Sequence, residues 1–287
     1  MISRRDSLGL VAGMAVASVA AAEDDQAMTA VDDSWTRSQA GLLRTLMKLR
    51  AALDDRVTLE WFKGVVYGVA DSAMTPLFTV NAVAFAYYEE TQAGDFRGRR
   101  VEVTYHGDLE RDRLIERFDN PYTGGTVDVP LSRTPLQDAV IGRNGLVVPA
   151  RIGPMRIEAE TGLGPGLVNG GRCWVRLDTR STVFADGVDA PVNEYGESIT
   201  YAGDSREVAD PGVLSAACQL SYTNAMSWRP WLQMQGRPGH TMTAACGEKV
   251  ESLAELPPDL RDFVRTRHPD LAEDARAVLS ASMAQPG

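Results

Sequence analysis

Histidine is scarce in this chain, so acid–base chemistry has few centres available: only His106, His240 and His268 occur among 287 residues. His106 stands in Tyr105-His106-Gly107-Asp108. If the turn at Gly107 folds the carboxylate back to the imidazole, the pair supports proton transfer with Tyr105 beside it. The same four residues also read as a solvated turn in which Asp108 caps a neighbouring amide. Arg229 lies in Trp228-Arg229-Pro230-Trp231. A guanidinium between two indoles suits stacking on them, clamping an acidic ligand or closing a rim salt bridge. His106, Asp108, Tyr105 and Arg229 are therefore the candidate catalytic residues of a cofactor-independent lyase, isomerase or hydrolase.

Other chemistries lack their signatures. The sequence holds no HExxH, no closely spaced Cys/His ligand set and no Gly-x-Ser-x-Gly elbow. In TGLGPGLVNGG (161–171), Leu167 and Asn169 occupy the third-glycine positions of the two possible GxGxxG frames. No nucleotide cradle follows, and neither a cofactor nor a metal is expected. Cys173, Cys218 and Cys246 form no CxxC pair. One disulfide plus a free thiol is one reading, and small core residues in apolar strands the other.

A second set of residues speaks for binding. In Ala216–Met234, Cys218, Leu220, Tyr222, Asn224, Met226 and Trp228 alternate with Gln219, Ser221, Thr223, Ala225 and Ser227. Period two marks a half-buried strand, and Pro230 ends it. Asn224 shares the apolar face, and an unpartnered buried amide costs a few kcal/mol, so a ligand, a water or a neighbouring strand must bond it. Arg176, between Trp174 and Asp178, reads as an interior arginine needing Glu197 or Glu207. Trp61, Tyr67, Tyr122, Arg176, Tyr222, Asn224, Met226, Trp228 and Trp231 are the candidate lining of a pocket for a small apolar or aromatic molecule.

The elements that must position these residues are mostly strands. Leu42, Leu46, Leu49 and Leu53 form a helical stripe after a cap at Asp33 or Ser34, predicting a helix to about Leu53. Strands are predicted over 58–70, 77–89, 96–106, 114–118, 126–130, 150–159, 172–185, 197–208, 214–228 and 240–246. Residues 131–149 read as a long connection over one barrel end, 161–171 as a loop, and DNPYTGG (119–125) as a turn cluster with the pocket candidate Tyr122 at its tip. Helical patterns resume at Pro258 and Leu271. Connections this short favour antiparallel neighbours over βαβ crossovers. The expected fold is mainly β: a large antiparallel β-barrel-like sheet with an N-terminal helix and C-terminal helices. Its expected division is a signal (1–22), a tail with packing helix (23–55), the barrel (56–250) and a helical segment (251–287).

Arg4-Arg5 precedes the apolar run Leu8–Val19 and the small residues Ala20-Ala21-Ala22. This resembles a twin-arginine export signal, with Ser7 where a large apolar residue is more usual. A general secretory signal and a retained anchor are the alternatives. The expectation is a periplasmic or otherwise exported protein, handled by export machinery, with no stable membrane span in the mature chain. A formal charge of −10 disfavours nucleic acid and anionic lipid as partners.

Several short motifs occur in one order: Gly64-Val65-Val66-Tyr67, Pro76-Leu77-Phe78, Asn120-Pro121-Tyr122-Thr123-Gly124, Trp228-Arg229-Pro230-Trp231 and Leu256-Pro257-Pro258. With the leucine-striped helix, they resemble the bacterial domain-of-unknown-function family numbered 1838 (DUF1838) over most of the mature chain. Gly125 departs from that pattern where an acidic residue is expected, and Tyr105-His106-Gly107-Asp108 is a loose version of its Tyr-x-Asp turn. The resemblance implies the architecture, and the frequent twin-arginine signals of that family fit Arg4-Arg5. It implies no activity.

Overall fold

The computed structural model describes residues 33–281, apart from Gly153 and Gln235. The signal expected over 1–22 lies outside the described residues. In chain order the strands are β1 (Thr58–Ala70), β2 (Ala73–Glu90), β3 (Phe96–Gly107), β4 (Arg117–Asp119), β5 (Thr126–Asp128), β6 (Ser132–Arg133), β7 (Gln137–Gly142) and β8 (Gly145–Leu146). They continue with β9 (Arg151–Ile152), β10 (Met155–Leu163), β11 (Leu167–Asn169), β12 (Arg172–Ala185), β13 (Pro191–Asp204), β14 (Cys218–Ser227) and β15 (His240–Val250). The helices are α1 (Gln39–Arg50), α2 (Ser205–Ala209), α3 (Pro258–Arg267) and α4 (Pro269–Ser280).

One antiparallel sheet runs β8-β7-β3-β2-β1-β15-β14-β13-β12-β10-β9, and it curls into a nearly closed barrel. Closure is tight where its ends meet. Thr161 Oγ1 donates to the carbonyl of Asn144 at 3.0 Å. Gly145, at φ +101°, lies so close that a Cβ there would stand 3.1 Å from the Gly162 nitrogen. Midway along the sheet, a Cβ on Gly247 would stand 1.8 Å from the Trp61 carbonyl. Glycine there lets β1 and β15 pinch together and the sheet bend.

Helix α1 plugs one end of the barrel. Ser38 caps it, accepting from the Gly41 amide at 3.0 Å, so the cap lies beyond Asp33 and Ser34, which border a separate 3₁₀ turn. Leu43, Leu46, Met47 and Leu49 pack among Tyr88, Phe96, Ile141, Val175, Tyr201 and Leu220, side chains from both halves of the sheet. The helix end is bonded by buried lysines. Lys249 Nζ donates to the carbonyls of Lys48 and Ala51 and to Ser215 Oγ at 2.6–2.8 Å. Lys48 Nζ donates in turn to the carbonyls of Val208 and Asp210. These bonds satisfy carbonyls that a helix terminus leaves open.

The C-terminal helices cover the outside of the barrel. Leu260, Phe263, Val264, Leu271 and Leu279 bury Leu59, Val83, Phe85, Val101, Val103 and Tyr105. In β3 the apolar alternates therefore face outward, beneath helices, while Arg100, Glu102, Thr104 and His106 take the opposite side. A sheet buried on both faces permits this inversion.

Several local expectations are corrected. Residues 131–149 contain β6, β7 and β8, and β7 is a member of the sheet paired with β3. β11 forms inside the expected loop 161–171 and pairs with β12. The expected strand 114–118 reduces to a bridge at Leu114 and to β4, which pairs only with β5. The strand expected over 197–208 starts earlier, at Pro191, and gives way to α2 at Ser205, where Asp204 caps the Arg206 amide. Among the described residues no helix is long and apolar enough to cross a membrane.

Leu46 is wholly buried at the plug, whereas Leu109 is 46% exposed. Leu46→Ala is expected to lower unfolding free energy by about 3 kcal/mol in urea titration. Leu109→Ala is expected to shift it by no more than about 0.5 kcal/mol.

Candidate functional site

Between the α1 plug and the opposite barrel end lies a cavity of ≈ 340 Å³. Six consecutive strands of the sheet contribute to it. Phe62 (β1), Val80 (β2), Thr104 and His106 (β3), Tyr195 (β13), Tyr222, Asn224 and Met226 (β14) and Thr243 (β15) form the wall, with Glu102 and Arg229 among them. Its rim is Pro130 and Ser132 on one side and Pro230-Trp231 on the other. Strand register explains the convergence. Asn224 pairs with Glu197 across one seam and with Thr243 across the other, so one rung carries three polar side chains.

Aromatic faces dominate the walls. Phe62 stacks on Tyr222 with centroids 4.7 Å apart, and His106 lies 4.8 Å from Phe78 and 5.6 Å from Trp231. Burial and the Arg229 charge hold the His106 imidazole down to about 3, so it is neutral near pH 7. Burial lowers Arg229 as well, while Tyr222, Tyr195 and Glu102 act the other way. Among the described residues its guanidinium has no ion-pair partner, and its Nε has no hydrogen-bond partner. Glu102 is bound to Arg100 instead. His106 Nδ1, Asn224 Oδ1 and Thr243 Oγ1 are likewise buried and unpartnered.

A hydrogen-bonded chain crosses the wall. Asn224 Nδ2 donates to the Tyr222 hydroxyl at 2.7 Å, Tyr222 and Tyr195 hydroxyls stand 3.2 Å apart, and Tyr195 donates to Glu197 Oε2. Burial raises the Glu197 carboxyl above the usual carboxylate range, and it raises both tyrosines. On the far side of this chain lies a wider, open trough of ≈ 910 Å³ between β10, β12, β13, β14 and β15. Tyr195, Asn224 and Met226 border both spaces, and Glu197 borders the trough.

Of the expected residues, His106, Arg229, Tyr222, Asn224, Met226 and Trp231 meet at the cavity. Tyr122 and Trp228 pack together at 5.3 Å in the cluster that closes this barrel end. Asn120 holds the tip there, donating to the Leu232 carbonyl at 2.7 Å and accepting from the Tyr122 amide. The remaining five do not reach the cavity. Tyr105 points outward onto Phe263 at 4.4 Å, the alternate face from His106. Asp108 caps the amides of Glu110 and Arg111 in its turn. Trp61 lies under the C-terminal helices, and Tyr67 alternates with Val66, which is buried inside. Arg176 is exposed and bonds Asp178 at 2.8 Å; Glu207 accepts from the Ala217 amide instead.

Glu102, Thr104, Tyr195 and Thr243 escape sequence reasoning, and Glu197 entered it only as a partner for Arg176. Their signal is period-two polarity in Arg100-Glu102-Thr104-His106 and Tyr195-Glu197, which reads as a solvated face unless the other face is known to be covered. Among the described residues, no group of three or more His, Cys, Asp or Glu is placed to hold a metal ion.

The depressed His106 value has a consequence for stability. Between pH 6.5 and about 3 the unfolded chain binds the proton that the folded one refuses. Stability is therefore full above 6.5 and declines as pH falls toward 3, by up to about 5 kcal/mol from this residue. Urea titrations across that window are expected to give a shallower acid decline for His106→Gln than for the wild type.

A model of one protein family matches residues 177–283, and that family is described as "Protein of unknown function (DUF1838)". The matched stretch includes Tyr195, Glu197, Tyr222, Asn224 and Arg229. No curated protein matches the chain. Over its C-terminal part, the chain is thus similar to DUF1838, which supports that family.

Proposed function

We propose that the chain belongs to this family along its mature length and binds, in its barrel cavity, a small neutral aromatic or apolar molecule bearing a carbonyl oxygen. One observation carries the reading: Arg229, without an ion pair, faces a partly open cavity walled by Phe62, Tyr222, Met226 and Trp231. An unpartnered buried donor favours a ligand that presents an acceptor. The acidic body supports a neutral ligand over an anionic one, since long-range repulsion opposes anion approach. A volume of ≈ 340 Å³ suits a bicyclic molecule.

The probe is 2-tetralone, with tetralin as its analogue lacking the carbonyl. Tryptophan fluorescence is expected to respond saturably to 2-tetralone, with tetralin weaker by roughly tenfold. Arg229→Met removes most of that difference, and Trp231→Ala weakens both. Absence of a saturable response to either compound contradicts the pocket.

The protein also acts outside the cytoplasm in this proposal, through the Arg4-Arg5 signal. Fractionation of cells making the full chain is expected to find it exported. Arg4→Lys with Arg5→Lys is expected to leave it in the cytoplasm, whereas unaltered export of that variant rules out the twin-arginine route.

A further inference from the structure

We propose that Tyr222, Tyr195 and Glu197 form a proton relay by which the cavity removes a proton from carbon beside the carbonyl of its bound ligand, while Arg229 receives the enolate oxygen. This rests on the pocket reading above and adds an activity, the enolisation of a neutral ketone.

Three observations support the relay. The first is direction. Asn224 Nδ2 already donates to the Tyr222 oxygen at 2.7 Å, so the Tyr222 proton is free to point at Tyr195, 3.2 Å away. Tyr195 points its own proton at Glu197 Oε2. Every proton in the chain thus points from the cavity toward the carboxylate, and Tyr222 keeps an oxygen lone pair for the ligand. The second is connection. Tyr222 lines the cavity, Glu197 borders the open trough, and Tyr195 borders both, so the chain leads from the cavity toward the more open space. The third is the charge at the other end. Arg229 has no ion pair, so it is free to meet an oxygen that becomes negative during reaction.

The step balances. The ligand C–H bond breaks and its electron pair forms the C=C bond of the enolate, while the carbonyl π pair moves to the oxygen facing Arg229. The proton goes to Tyr222, the Tyr222 proton to Tyr195, and the Tyr195 proton to Glu197. Reversal at the same carbon exchanges hydrogen with solvent, and reversal at the far carbon of a dienolate from an unsaturated ketone gives an isomer; no oxidant or reductant is involved. His106 is the obvious rival base, but burial beside Arg229 deprives it of proton affinity. Glu197 has been moved the opposite way by burial, against the pull of Tyr195, Arg50 and Arg100 and with the repulsion of Glu102.

Deuterium exchange into C1 of 2-tetralone in D₂O, followed by NMR with the full chain, tests the relay. The wild type is expected to exceed the buffer rate. Glu197→Gln and Tyr195→Phe are each expected to reduce the enzymatic part by about a hundredfold, while fluorescence binding stays within about threefold. The wild-type rate is also expected to fall at acid pH as Glu197 protonates, a limb absent from Glu197→Gln. A merely structural role for Tyr195 or Glu197 would move binding and exchange together, and that result overturns the relay. Binding without exchange above buffer overturns the relay alone, as does full exchange by a folded Glu197→Gln or Tyr195→Phe. Absence of binding overturns the pocket and the relay together.

Discussion

A sheet that closes on itself and is plugged by a helix takes its inner face out of water, and the rest of this molecule follows from that constraint. The plug formed by Leu43, Leu46, Met47 and Leu49 joins side chains from both halves of the sheet, so the lumen is sealed at that end. On the outside of β1–β3 the C-terminal helices remove a second surface from solvent. Every polar side chain pointing inward then needs a partner within the barrel or a ligand, because an unpartnered buried group costs on the order of 1–3 kcal/mol.

The lumen meets this requirement unevenly. Near the plug, Arg50 bonds the Tyr201 hydroxyl at 2.7 Å and lies 3.5 Å from Glu60. Arg100 is bound to Glu102. Further along, the partners run out: Arg229, His106, Asn224 and Thr243 each present an unbonded polar atom around one cavity. Buried ion pairs are weak sources of stability; here Arg50 ties α1 to β1 and β13, whereas the Arg100–Glu102 pair lies within β3. The unpaired set is where a bound molecule adds interactions that the protein alone lacks.

The buried side of the Tyr222–Tyr195–Glu197 chain and its solvent side face different spaces. The family match covers this region and Arg229 but stops short of β1–β3, which supply Phe62, Glu102 and His106. The site is therefore assembled from the matched and the unmatched portions of the chain.

Local patterning alone determined much of this protein. The leucine stripe of α1, the period-two faces of β12 and β14, and the proline-marked start of α3 are each set by spacing within a dozen residues. That spacing also identified Tyr222, Asn224 and Met226 as neighbours on one face. Alternation says that two faces differ, however, and never which one points inward. Tertiary structure decided that for β3, where the helices of 258–280 cover the apolar face and turn Arg100, Glu102, Thr104 and His106 toward the lumen. It also separated His106 from Tyr105 and Asp108, since adjacent strand residues project to opposite sides and a turn aspartate caps its own amides. Register across β13, β14 and β15 brought Glu197, Asn224 and Thr243 onto one rung, a relation between residues dozens of positions apart that no single stretch of sequence encodes.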